Sequence, residues 1–388
     1  FLKLMKKSIG DFKSHEKSTV YLHEPDIDKS DWRFVKKCLE KNFVSTVGNY
    51  VNEFEQKLTK LTKSKHAIAV INGTSALHVS LEVLGVKTND EVLMPSLNFV
   101  ASANAVKYCE AIPHFVEVDE KTLGVDSIKL DKYLKKIVIL KKGKPFNKFT
   151  KKKISCLILL HLFGHAAKVD EIKKITNKYK IPLLEDAAEA LGSFFKKKHL
   201  GTFGDIGILS FNGNKIITTG GGGAILTRNK NLAKRIKFLT TTAKIPHQWK
   251  YEYSDVGYNY RLPGINAALG CSQLLKLKKY IILKRKLFQI YNKNFSKNNS
   301  FKIFKEPKNS KSNYWLQTLM LKKKSIVLRN KLIEFSNKKG FSTRPVWKVL
   351  HKLKHFKNCP KMNLKVTEDL EVRIINLPSS SYLATHKF

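Results

Sequence analysis

The sequence predicts an α/β fold, with a large domain on a mostly parallel central sheet followed by a smaller C-terminal α+β domain. Three observations carry this expectation. The 388 residues are 42% hydrophobic and 10% aromatic, enough apolar material for a sizeable core. From about residue 66, short β-branched or apolar runs alternate with longer amphipathic stretches, the pattern of a parallel sheet covered by helices. No apolar run approaches the roughly 18–20 residues that span a bilayer, and the longest, 156–160, has the length of a strand. A soluble, cytoplasmic protein is therefore expected. Residues 1–7 lack the sustained apolar region and cleavage site of a signal peptide. The five cysteines contain no CxxC pair, which suits a reducing compartment and no metal site.

Taken in order, the runs at 66–71, 91–95, 113–118, 154–160, 182–185, 206–211 and 224–227 read as strands. Helices over 75–85, 101–109 and 169–179 fall between them, the first with Leu77, Leu81 and Leu84 on one face. The lysine-rich stretch 132–153, with Gly143 and Pro145, reads as a surface insertion. A helix over 264–274 precedes a Lys- and Asn-rich stretch reaching about residue 300, where the domain boundary is expected. Strand candidates at 314–321 and 342–346 belong to the smaller unit. The expected division is an N-terminal segment 1–45, a large domain 46–275 and a small domain 276–388.

The net charge of +42, from 73 Lys+Arg against 31 Asp+Glu, raises nucleic acid as a partner. Only eight of those 73 cations are Arg, the side chain whose planar fork suits phosphates and base edges. The lysines are dispersed over helical faces and loops. Compositional drift accounts for such a pattern better than a nucleic-acid surface does.

Three constellations carry chemistry. The first, Asn72-Gly73-Thr74-Ser75, takes a strand straight into a helix and aims free N–H groups and two hydroxyls at one point, which suits a phosphate; it also reads as an ordinary Thr or Ser helix cap. In the second, the strand before Glu185-Asp186-Ala187-Ala188-Glu189 delivers acids at the edge where open α/β sheets bind ligands, although an acid there can equally cap a helix or pair with a cation. The third, Ser210-Phe211-Asn212-Gly213-Asn214-Lys215, places one lysine among small polar residues ahead of the run Gly220-Gly221-Gly222-Gly223. Any single lysine in so lysine-rich a chain can also be surface charge. Pyridoxal 5′-phosphate requires an anchored phosphate, an acid at its pyridine nitrogen and an amine for its aldehyde, and the three constellations supply these in a workable order.

With those motifs in place, the sequence resembles the DegT/DnrJ/StrS sugar aminotransferases of the aspartate-aminotransferase fold type I. The resemblance spans nearly the whole chain. It rests on Gly73-Thr74-Ser75, the segment 95–104, the segments around Asp186 and Lys215, Gly257-Tyr258-Asn259-Tyr260-Arg261 and Thr343-Arg344-Pro345-Val346-Trp347. Within the group it most resembles the branch making precursors of legionaminic acid and related 4-amino sugars. The resemblance implies that Lys215 is the Schiff-base lysine and Asp186 the partner of the pyridinium nitrogen. Gly73, Thr74, Ser75 and Ser210 would cradle the phosphate, joined by Asn259 from a neighbouring subunit. Phe99 would stack on the ring, a position that core packing would explain equally well. Glu189 stands beside the cofactor where relatives often carry Gln or His. Arg261, Arg344, Trp347 and His351 match motifs bordering the substrate cleft, and each also reads as surface charge or small-domain core. The implied activity moves an amino group from glutamate to C4 of a nucleotide-linked 4-keto-6-deoxy sugar, in a homodimer with shared sites. The rival classes are a non-catalytic regulator of the same fold, for which no DNA-binding extension is apparent, and a basic nucleic-acid binder.

Overall fold

The computed structural model describes residues 1–10, 19–46 and 48–385. Its central sheet has seven strands: β1 (His66–Val70), β2 (Glu91–Pro95), β3 (Ile112–Val116), β4 (Ile154–Leu160), β5 (Leu183–Asp186), β6 (Ile206–Ser210) and β7 (Gly223–Thr227). Their order is β1-β7-β6-β5-β4-β2-β3. β7 runs antiparallel to both of its neighbours, and the remaining pairs are parallel. Helices cover both faces, so the strands are apolar throughout instead of alternating, and every residue of β4 is buried.

Strand parity sorts the two faces. Leu183 and Leu209 join one core cluster, whereas Leu184 and Ile208 join the cluster beneath the helices Gly73–Val83 and Val100–Tyr108. Because side chains alternate with period two, Asp186 and Ser210 face those helices and Glu185 faces away. The two residues expected at the site therefore share one face at the C-terminal edge of adjacent parallel strands.

A four-stranded antiparallel sheet, ordered Phe301–Ile303, Gln317–Leu321, Ile374–Leu377 and Arg344–Pro345, forms the smaller unit. The helix read as ending near residue 274 runs unbroken from Gly264 to Phe295, straight through the stretch where the boundary was expected. Its lysines and asparagines are compatible with a helix whose buried side chains include Leu277, Tyr280, Leu287 and Tyr291. One long helix thus serves both units, with Leu287, Tyr291 and Phe295 packing against Met5 and Ile9 of the N-terminal helix Leu2–Ile9. The stretch 132–153 contains a hairpin of Val138–Lys141 and Lys144–Asn147. Asn147 and Thr150 both donate to buried Glu91, at 3.0 and 2.5 Å, anchoring the hairpin to the sheet. The strand expected over 314–321 begins only at Gln317, which leaves Trp315 and Leu316 free to line the cavity described below.

The glycine run ahead of β7 allows a close approach of backbones. A Cβ built on Gly223 would lie 2.6 Å from the Asn72 carbonyl carbon and 2.7 Å from its oxygen, whereas one on Gly221 would meet nothing nearer than the Ile71 oxygen at 3.8 Å. Gly223→Ala should therefore cost about 1–3 kcal/mol of folding stability, as overpacking against fixed backbone does. Gly221→Ala should stay within about 0.5 kcal/mol of the parent. Equal denaturant midpoints for the two variants would refute this account of the run.

Candidate active site

A cavity of about 650 Å³ opens at the C-terminal edge of β5 and β6. It brings together Gly73, Thr74, Phe99, Asp186, Glu189, Ser210, Lys215, Arg344 and Trp347 of the residues singled out by sequence. Four others lie elsewhere. Ser75 sits one step inside the helix, its N–H donating to the side chain of the cap Asn72 at 2.7 Å. The helix begins at Gly73, and its cap is Asn72, not Thr or Ser. His351 is clamped between Ser96 (2.8 Å) and Glu368 (3.0 Å), a structural pairing outside the cavity lining. Asn259 is exposed and Arg261 continues the same segment, both beyond the lining of this chain's cavity.

The start of the helix Gly73–Val83 presents its first N–H groups to the cavity. Ser210 lies against it, close enough that a Cβ on Gly73 would sit 3.2 Å from Ser210 Cβ. The hydroxyls of Thr74 and Ser210 line the same cavity with no hydrogen-bond partner among the described residues. A phosphate fits this arrangement because the helix dipole and both hydroxyls complement an anion.

Asp186 is buried at the end of β5. Its Oδ2 accepts from the Ser102 hydroxyl at 2.8 Å and its Oδ1 from the Ala188 N–H at 3.2 Å. Burial pushes its carboxyl above the usual range, opposed by those two hydrogen bonds and by the positive charge of Lys215. A cationic ring nitrogen placed beside it would relieve that burial cost. The adjacent Asn98, 1% exposed, has a side-chain nitrogen with no partner among the described residues, an orphan that points to a missing acceptor. Phe99 is 50% exposed within the cavity wall, its ring centroid 5.5 Å from that of Trp347. A flat ligand ring would cover it, which favours the stacking role over core packing. Phosphate cradle, buried acid, orphan amide and open aromatic face together fit pyridoxal 5′-phosphate.

Lys215 Nζ lies 3.6 Å from Glu189 Oε1 and 3.8 Å above the Trp315 ring centroid. Trp315 is held by its indole N–H, which donates to the Asn214 carbonyl at 2.7 Å. Glu189 accepts the Phe163 N–H at 2.7 Å. Its carboxyl is pushed by burial from the ordinary 4.5 to about 7, the Lys215 charge opposing the rise. Phe163 (φ 56°) and Tyr314 (φ 48°) both adopt left-handed backbone, a conformation that costs bulky residues of order 1–3 kcal/mol and concentrates at functional sites. Reasoning from sequence missed Leu22, His23, Asn98, Ser102 and Trp315. Asn98 and Ser102 stand inside the 95–104 motif, which was a usable signal; His23 and Trp315 lie far along the chain from Lys215 and had none.

The comparisons with known proteins agree with this geometry. The chain is 33% identical over 368 residues to GDP-perosamine synthase from Escherichia coli O157:H7, covering 94% of each chain. It is 32% identical over 338 residues, 87% of this chain and 85% of the other, to UDP-4-amino-4,6-dideoxy-N-acetyl-beta-L-altrosamine transaminase from Campylobacter jejuni strain 81-176. Helicobacter pylori PseC, an aminotransferase involved in pseudoaminic acid biosynthesis, shares the fold with a TM-score of 0.85 at 24% identity, over 95% of this chain and 98% of that one. Residues 25–388 match the DegT/DnrJ/EryC1/StrS aminotransferase family, whose cofactor, pyridoxal 5′-phosphate, is the one the cavity fits. With cavity and chain-length match in agreement, this protein belongs to the DegT/DnrJ/EryC1/StrS aminotransferase family.

Proposed function

We propose that the enzyme moves an amino group from glutamate to C4 of a nucleotide-linked 4-keto-6-deoxy sugar, for surface-glycan or nonulosonic acid synthesis in the cytoplasm. The observation that carries this reading is the convergence of Lys215, Asp186 and the Gly73–Thr74 helix start in one cavity. The names of the relatives, a GDP-sugar synthase and a UDP-sugar transaminase, supply the substrate class.

Pyridoxal 5′-phosphate, when bound, supplies the carbonyl that takes up the amino group and a ring that accepts the electrons released at the donor carbon. Gly73, Thr74 and Ser210 hold its phosphate. Phe99 orients the ring, and Asp186 keeps a proton on the ring nitrogen by favouring the cationic form. Lys215 Nζ removes the proton from the donor Cα and delivers it to the cofactor C4′, being the basic amine at that point. The same lysine reverses the transfer when the keto sugar enters. Arg344 and Lys348, both lining the cavity, suit the diphosphate of such a sugar. The Glu189 carboxyl, raised by burial to about 7, stands 3.6 Å from Lys215 Nζ.

We further propose a homodimer in which Asn259 reaches the partner's phosphate. The loop leading to it exposes Trp249 by 70% and Tyr251 by 77%, apolar area that a second subunit would cover.

Three outcomes test these assignments. Lys215→Ala should lose the visible imine band and all turnover while still binding the cofactor phosphate; retained activity would remove the lysine from the mechanism. The Glu189 carboxyl has a higher pKa folded than unfolded, so its favourable contribution is complete below about pH 4.5 and is lost as the pH rises to about 7. The cofactor-free Glu189→Gln chain should thus match the parent near pH 4.5 and exceed its stability by on the order of 2–3 kcal/mol at pH 8; a pH-independent difference would contradict the burial argument. Mixing inactive Lys215→Ala and Asn259→Ala subunits should restore up to about half of one dimer's activity in hybrids, since one site then carries both lesions and the other none. Absence of recovery after verified subunit exchange would place Asn259 with its own chain.

A further inference from the structure

One cavity residue has no part in the chemistry above. His23 reaches the cavity from the N-terminal strap, residues 19–26, whose Val20 bridges to Phe341. That strap is pinned on both sides of His23. Val20 exchanges backbone hydrogen bonds with Gly340 and Ser342 at 2.8 and 2.9 Å, and the Leu22 carbonyl accepts from the Ser379 N–H at 2.7 Å. The Glu24 N–H donates to Ser380 Oγ at 2.9 Å. The Asp26 carbonyl accepts from both Gln273 and Tyr280 at 2.9 Å. A backbone tied down at so many points presents its side chain in a fixed place, as a positioning group requires. Yet His23 Nδ1 is enclosed and has no hydrogen-bond partner among the described residues, which is rare for a buried polar nitrogen.

Two lysines, Lys284 and Lys215, act on its charge, in a cavity that Asp186, Glu189, Arg344 and Lys348 also line. Lys215 shares the cavity, and Lys284, 1% exposed, donates to the Trp315 and Ser379 carbonyls at 2.9 and 2.6 Å. Burial, then Lys284 and Lys215, hold the imidazole well below its ordinary range, so the ring is neutral. A neutral imidazole donates one hydrogen bond and accepts one. The anionic groups of a substrate are better served by Arg344 and Lys348. A sugar hydroxyl, which also donates and accepts, matches His23.

We propose that His23 is a substrate-positioning residue that hydrogen-bonds a hydroxyl of the keto sugar and thereby sets its orientation toward Lys215. This assignment rests on the sugar aminotransferase reading and deepens it, because it assigns His23 to the second half of the reaction alone.

The two halves can be followed separately in the cofactor-loaded enzyme. Glutamate alone discharges the yellow form, and the 4-keto sugar identified from a panel of GDP- and UDP-linked candidates, the legionaminic-type precursors included, restores it. In His23→Leu, which keeps the volume but removes both nitrogens, the sugar half-reaction should lose about tenfold in kcat/KM, the size of one hydrogen bond to a neutral group. The loss should fall mainly on KM for the sugar. The glutamate half-reaction should stay within about twofold of the parent. His23→Asn, retaining a donor and an acceptor, should recover part of the loss, and it replaces His23→Leu should that chain not fold. Equal losses in both halves would make His23 a structural residue, and no loss in either would remove it from the site. A parent enzyme that reacts with glutamate but with no sugar of the panel would overturn the functional reading itself, an outcome visible before any variant is made.

Discussion

A carboxylate can be buried at the end of a strand only if something compensates its charge, and the setting of Asp186 is the constraint around which this protein is arranged. Strand parity turns Asp186 toward the helices Gly73–Val83 and Val100–Tyr108, and Ser102 on the second of these supplies a hydroxyl at 2.8 Å. The backbone just after Asp186 supplies a second donor through the Ala188 N–H. Two hydrogen bonds offset part of the desolvation but leave the carboxyl in need of a cation. Lys215 contributes its charge from across the cavity, and a protonated ring nitrogen of the proposed cofactor would complete the balance. The lysine, the phosphate turn and the open face of Phe99 are all placed relative to that acid.

Three acids within five residues show how strongly environment decides chemistry. Glu185 faces the opposite side of the sheet from Asp186, where it accepts from the backbone N–H groups of Gly201, Phe203 and Gly204 at 2.8, 2.5 and 2.6 Å and pairs with His161 at 2.9 Å. Burial alone would raise its pKa, but His161 and those N–H groups hold it below the usual range. It stays ionised and locks the loop that follows β5. Asp186 and Glu189 have fewer donors and are both raised by burial. A pair of acids with opposed tendencies, one structural and one poised beside an amine, is how a single segment serves both packing and proton transfer.

The smaller unit is part of the site. Asn313 donates to the carbonyls of Glu189 and Leu191, both at 2.9 Å, and its own side-chain oxygen accepts the Trp315 N–H at 2.9 Å. That turn fixes Glu189 and places the Trp315 ring over Lys215 at once. The long helix Gly264–Phe295 carries Lys284 beneath the same turn, and the strap bearing His23 closes the remaining side. A cavity walled by elements from the beginning, middle and end of the chain has its shape set by their relative packing, so its geometry depends on the junction held by that helix.

The sequence by itself determined the order of the seven strands along the chain, since each is a short apolar run bounded by polar or glycine residues, and it marked Asp186 and Ser210 at strand ends and Lys215 in the turn that follows. The turn proposed to hold the phosphate was legible because a strand passing through Gly73 into a helix is a local pattern, and the motif resemblance named the chemistry. Tertiary structure alone decided what depends on contacts distant in sequence. Gly223 of β7 packs against the backbone of Asn72, and His351 is spent on Ser96 and Glu368. The helix from Gly264 continues to Phe295 because Leu287, Tyr291 and Phe295 find Met5 and Ile9 to bury against. His23 and Trp315 enter the cavity only once the strap and the small sheet have docked. Local pattern reports propensity and parity, whereas burial, orphaned nitrogens and shifted carboxyls arise from neighbours that no sequence window contains.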